Sequence, residues 1–194
     1  YLAKKDSRVL SLIGPGVINN CAFRCYMEAL PGIDTVKIKG STPESRSARA
    51  MKEYIEAEYP QIRKIILCST LEEACREADV VSEAVSVTKA EMEEFKPDWF
   101  GKGAAVFSMG SFFVKEYEKL LGTRMVVDNY GMYEKYMSNF IARGPVDEFG
   151  KKREWCIMGM HFVHLVNTGQ AERSQVVSLS DLVNGKAKGR TSDD

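Results

Sequence analysis

Short apolar runs rich in β-branched residues alternate along the chain with longer stretches whose apolar positions recur at helical spacing. That alternation predicts an α/β domain with a parallel sheet. Strands are expected at Val9–Ile13, Thr35–Lys39, Lys64–Cys68, Val80–Val85, Ala104–Ser108 and Arg124–Asp128. The first is ended by Gly14-Pro15-Gly16, and a helix should follow over Val17–Leu30, stopped by Pro31-Gly32. A second helix is expected over Pro43–Glu58, with Pro43 in its first turn. Thr70 with Glu73 is a capping-box pattern that opens a short helix, and Val114–Leu121 reads as helical. Past Tyr130 the pattern is mostly helical, with Trp155–Val166 and Ser178–Asn184 as candidates and Gly144-Pro145 and Gly150 as breaks. The pattern predicts a doubly wound, mostly parallel six-stranded sheet with helices on both faces. Residues 1–194 then form a single domain whose part from about 130 is mostly helical. Such sheets bind ligands where the strand order reverses, beyond the carboxyl ends of the first and fourth strands.

Composition narrows the partners. Among 194 residues, 27 basic side chains balance 27 acidic ones, which counts against nucleic acid as the main partner. At 44% hydrophobic and 28% charged the chain has an ordinary globular composition. The longest stretch without Asp, Glu, Lys or Arg, Trp155 to Ala171, contains two histidines and is not a membrane span. Cys21, Cys25, Cys68, Cys75 and Cys156 fit no zinc spacing and read as reduced thiols of a cytoplasmic protein. Cys21 and Cys25 share a helix face and are expected to be small core residues. His161 and His164 also share a face. With no carboxylate or thiol at ligand spacing, their expected role is packing and capping, and no metal site is assigned.

The strongest chemical motif is Gly14-Pro15-Gly16-Val17-Ile18-Asn19, placed after a strand and opening a helix. Gly14 allows a sharp turn. Gly16, with no Cβ, lets a pyrophosphate approach the backbone, where the next helix offers free amides and its positive end. Asn19 stands where a third Gly or Ala normally lets helix and strand pack closely. It predicts either wider spacing or an Asn hydrogen bond to nearby backbone. The second strand ends in Lys39-Gly40-Ser41-Thr42 with Arg46 beyond, and no acid precedes Glu44. NAD-specific folds place a carboxylate there, so hydroxyls and cations at Lys39, Ser41, Thr42 and Arg46 lean towards the 2′-phosphate of NADP over NAD. At the fourth strand's end, Val85 and Ser86 are candidates to contact the ribose or pyrophosphate through backbone and hydroxyl groups. Glu83, inside that apolar strand, is either an exposed edge charge or the partner of a buried base. Met109-Gly110-Ser111 should face the nicotinamide side of the crevice.

On three segments the chain resembles the nucleotide-binding domain of the ornithine cyclodeaminase/mu-crystallin family. They are the lead-in Tyr1-Leu2-Ala3-Lys4-Lys5-Asp6-Ser7, the turn Gly14-Pro15-Gly16-Val17, and the stretch Gly185 to Asp194. Val36-Lys37-Ile38-Lys39-Gly40 with Tyr59-Pro60-Gln61-Ile62 is similar to a subset of the family that carries a tyramine oxidase label. The resemblance implies a homodimeric parent with a further domain that supplies substrate-binding Lys and Arg residues and lies outside this chain. The chain alone is then expected to bind a dinucleotide without turning over substrate. Three departures stand out. The family's Asp beyond the fifth strand is missing from Gly110–Lys115, its Gln in the glycine turn is Ile18, and a Thr at the end of the fourth strand is Val85. These departures leave the catalytic group unassigned and favour an oxidoreductase acting on an amino acid, amine or imine. The alternatives are a cyclodeaminase-type lyase that recycles NAD and a non-catalytic module binding NADP and a small ligand.

Overall fold

The computed structural model describes residues 1–86, 93–144, 146, 148–150 and 157–191. Pro145, Trp155, Cys156 and Ser192–Asp194, named above, lie outside the described residues. The chain divides into two compact units, Tyr1–Ser111 with Arg190–Asp194, and Phe112–Gly189.

The first unit holds β1 (Val9–Ile13), α1 (Val17–Ala29), β2 (Thr35–Lys39), α2 (Arg46–Glu58), β3 (Lys64–Leu67), α3 (Leu71–Cys75), β4 (Val80–Glu83) and β5 (Ala105–Ser108). Its strands form one parallel sheet in the order β3-β2-β1-β4-β5. Chain order reverses between β1 and β4, so the reversal falls where the sequence places it.

Alternation along the strands sorts the two faces of the sheet. Leu10, Leu12, Val36, Ile38 and Val80 are buried against Phe23 and Met27 of α1 and Ala48, Met51 and Ile55 of α2. Asn19, Phe23 and Met27 recur every fourth residue and form the inward stripe of α1. Each fully buried side chain of this kind contributes about 1.5–3 kcal/mol relative to exposure. Lys37, between Val36 and Ile38, points to the opposite face. There its ammonium donates to the carbonyls of Glu73 (3.0 Å) and Arg76 (2.6 Å) at the end of α3. Helices therefore cover both faces.

Cys21 and Cys25 are exposed, a correction to their reading as core residues. They lie two positions off the Asn19–Phe23–Met27 stripe and so on the outer side of α1. Helix α2 starts at Arg46 because Ser45 N–H closes a turn onto Thr42 O at 3.1 Å, which leaves Pro43 ahead of the helix. Thr70 caps α3 by accepting from Glu73 N–H, while the Glu73 carboxylate accepts from Ser69 N–H, one residue before the cap.

The second unit contains β6 (Met125–Val127), α4 (Tyr130–Ala142), α5 (Met158–Asn167), β7 (Val176–Ser178) and α6 (Leu179–Val183). The expected sixth strand exists as β6 but is not part of the five-stranded sheet. It pairs in parallel with β7, Val126 opposite Val177, in a separate two-stranded sheet. The cause is a second β-branched run, Val176-Val177, that lies within the stretch expected to be helical and supplies a partner. The residues expected to be helical over Val114–Leu121 form instead a 3-10 segment, Tyr117–Gly122. Met125, Val127, Met137, Met160, Val163, Leu165 and Val176 make this unit's core.

Candidate functional site

The turn between β1 and α1 is shaped by two glycines with different jobs. Gly14 has φ +79°, and a Cβ there would lie 2.7 Å from the carbonyl oxygen of Ala84 and 2.9 Å from Val85 Cγ2. Only glycine fits. Gly14 N–H donates to Lys39 O (2.9 Å) and Gly16 N–H to Gly14 O (2.8 Å), which fold the turn back towards β2. At Gly16 a Cβ would meet nothing within 4 Å among the described residues, so the space over this residue is open. Gly16 is also the N-cap of α1, and no side chain caps that end. α-Helical geometry gives the amides of Val17, Ile18 and Asn19 no acceptor inside the helix. Val17 is 82% exposed and Ile18 49% exposed, so apolar side chains stand in solvent around unspent donors.

Asn19 holds this end of α1 to the sheet. Fully buried, it donates from Nδ2 to Ile13 O (2.8 Å), Gly14 O (2.9 Å) and Ser82 O (3.2 Å), and accepts from Ser82 Oγ at 2.7 Å. Of the two outcomes expected for an Asn at this position, the hydrogen bond to backbone is the one found. Tyr26 OH adds a donation to Ser82 Oγ at 3.2 Å.

Glu83, at the end of β4, is not an edge charge and has no basic partner among the described residues. It is fully buried. Oε1 accepts from Val85 N–H at 2.6 Å, and Oε2 accepts from Ser108 Oγ at 2.9 Å and Gly110 N–H at 3.3 Å. Burial pushes its carboxyl above the ordinary carboxylate range, and the donors to it oppose that shift. Ser108 is its register partner on β5. A polar residue directly across from a strand acid was the available sequence signal for this pair.

These elements border a cleft of about 720 Å³ at the carboxyl ends of the strands. Gly14, Pro15, Gly16, Val17, Ile18, Lys39, Ser41, Val85 and Ser86, all sequence candidates, line it. So does Ser111, expected on the nicotinamide side, and so do Ser47, Leu71 and Phe95, for which the sequence carries no such expectation. Thr42 and Arg46 are not among its lining residues. Arg46 borders a different depression on α2 with Glu44, Arg49 and Glu53. The Lys39 ammonium, buried, donates to Gly40 O at 2.8 Å. Val85 spends its N–H on Glu83 and accepts from Ser111 N–H at 3.0 Å, so it offers the cleft chiefly its side chain.

In the second unit, His164 Nε2 lies 3.2 Å from Tyr117 OH and the His161 ring stacks on Tyr117. Burial lowers the His161 pKa to about 4. Among the described residues no cluster of His, Cys, Asp or Glu could hold a metal ion, and no helix is long and apolar enough to cross a membrane.

Comparison with solved structures finds a similar fold in an archaeal alanine dehydrogenase dimer with bound NAD. The two share 20% identity at a TM-score of 0.65, over 100% of this chain and 52% of that one. The chain thus spans about half the length of that protein. No curated protein matches the sequence significantly. The profile of the ornithine cyclodeaminase/mu-crystallin family matches residues 1–194, and the chain belongs to that family.

Proposed function

We propose that the crevice between β1 and β4 binds a nicotinamide dinucleotide, and that the whole protein is an oxidoreductase acting on an amino acid, amine or imine. The observation that carries the reading is the pairing of open space at Gly16 with the uncapped first turn of α1. A pyrophosphate there would meet backbone donors and the positive helix end, with no described side chain within 4 Å of a Cβ built on Gly16. Lys39, Ser41 and Ser47 would flank the adenosine ribose, and Val85, Ser86 and Ser111 the nicotinamide side. The bound cofactor would give or take a hydride at nicotinamide C4, and the chain's own part is to bind and orient it. The NAD bound to the similar alanine dehydrogenase supports this class of ligand. The missing Asp in Gly110–Lys115 favours an oxidoreductase over a deaminating lyase.

Within this reading NADP is the preferred form, since no carboxylate ends β2 and Lys39, Ser41 and Ser47 border that corner. With Arg46 and Thr42 off the cleft, the preference rests on fewer residues. The finer placement beside the subset with the tyramine oxidase label is supported by Val36–Gly40 and Tyr59–Ile62 alone. The substrate and a homodimeric assembly belong to the whole protein. Calorimetric titration of this chain with NADP and NAD tests the proposal: saturable one-to-one binding, tighter for NADP, is expected. No binding of either refutes the dinucleotide reading, and equal or reversed affinities refute the preference.

A further inference from the structure

We propose that Glu83 is a positioning residue of the crevice: its buried carboxylate ties the chain leaving β4 to the chain leaving β5 and so sets the width of the slot on the nicotinamide side. The role in cofactor binding rests on the dinucleotide reading above, whereas the tie itself does not.

Donors from both strand exits converge on the one carboxylate. Val85 N–H comes from the β4 exit, and Ser108 Oγ and Gly110 N–H from the end and exit of β5. A second tie runs beside them, Ser111 N–H to Val85 O at 3.0 Å. The two exits are in close contact. A Cβ on Gly110 would lie 2.5 Å from Val85 O and 2.7 Å from Glu83 Oε1, so the glycine lets the chains approach until both amides reach one acid. Val85 and Ser111, on opposite sides of this tie, both line the cleft. An acidic side chain without solvent, at the strand end where the sheet binds ligands, has no role in core packing that an apolar residue would not fill better. Its acceptors account for its presence. A carboxylate can accept from both exits at once, whereas an amide side chain has one oxygen and must face one of them with a donor.

The test uses Glu83→Gln in the full chain, with Ser108→Ala as a gentler second variant that removes one of these donors. Amide hydrogen exchange is read first, without ligand. Exchange at Val85 or Gly110 should quicken at least about tenfold in E83Q and by less in S108A, while amides of β1 and β2 keep their rates. Titration with ADP and NAD is read second. ADP reaches only the glycine-turn half of the crevice, so E83Q should bind it as before but bind NAD about tenfold more weakly. Unchanged exchange at both amides in both variants overturns the tie. Equal weakening of ADP and NAD overturns the positioning role, because a general loosening of the fold would do the same. If the unsubstituted chain binds neither nucleotide, the dinucleotide reading fails and with it the cofactor role, and the exchange rates alone decide whether Glu83 ties the exits.

Discussion

The two glycines of the β1–α1 turn should separate fold from ligand binding. At Gly14 an alanine must adopt φ +79° and place its Cβ 2.7 Å from Ala84 O, which is backbone of the neighbouring strand exit and cannot swing away. A left-handed conformation costs a non-glycine residue about 1–2 kcal/mol and an overpacked contact about 1–3 kcal/mol more, so Gly14→Ala should destabilise by about 3 kcal/mol. For a chain of this size that corresponds to a fall of roughly 6–12 °C in melting temperature. At Gly16 the geometry reverses. The backbone is extended, with φ −94° and ψ −165°, and a Cβ meets nothing within 4 Å. Gly16→Val therefore loses only N-cap preference, below about 1 kcal/mol, yet its branched side chain fills the space proposed for the pyrophosphate. Thermal unfolding followed by circular dichroism, paired with calorimetric titration of NADP, reads both effects. G14A should melt early. G16V should melt within roughly 2–4 °C of the unsubstituted chain and show no saturable binding. If G16V melts as early as G14A, or binds NADP normally, the division of labour between the two glycines is wrong.

Asn19→Ala removes the donor to three carbonyls and the acceptor of Ser82 Oγ in a fully buried position, so denaturant unfolding should show a loss of about 2–4 kcal/mol. His161 is held neutral with a pKa of about 4 against an ordinary 6.5, so the unfolded chain takes up its proton first as pH falls. Its contribution is complete above pH 6.5 and should fade by on the order of 3 kcal/mol towards pH 4, a slope that His161→Leu removes in pH-dependent unfolding. Glu83 works in the opposite sense. Its folded-state value lies above 4.5, so its contribution is full below that pH and declines as pH rises through the raised value, and E83Q should flatten that part of the profile.

Local pattern was enough to place β1 to β5, because each is a short apolar run bounded by turn residues, and their ends shift by no more than two residues. The geometry of the glycine turn was legible for the same reason, being set by consecutive residues. Partner choice was not. Val126 carries no mark saying that Val177, rather than the main sheet, is its neighbour, and so the sixth strand was misplaced. Glu83 was opaque because donors such as Ser108 and Gly110 lie more than twenty residues away and are brought near only by the β4–β5 register. Arg46 is near the cleft residues in sequence but does not line the cleft. It opens α2, and the helix carries it towards Glu44 and Arg49 instead of the cleft.

On the proposed reading, the uncapped start of α1 receives a dinucleotide's pyrophosphate. Titrating the isotopically labelled chain with NADP while following backbone amide resonances tests it residue by residue. Large, saturable shifts are expected at Val17 and Ile18, with smaller ones at Ser41 and Ser86. Saturable shifts confined to residues away from that turn, or none at millimolar NADP, would contradict it.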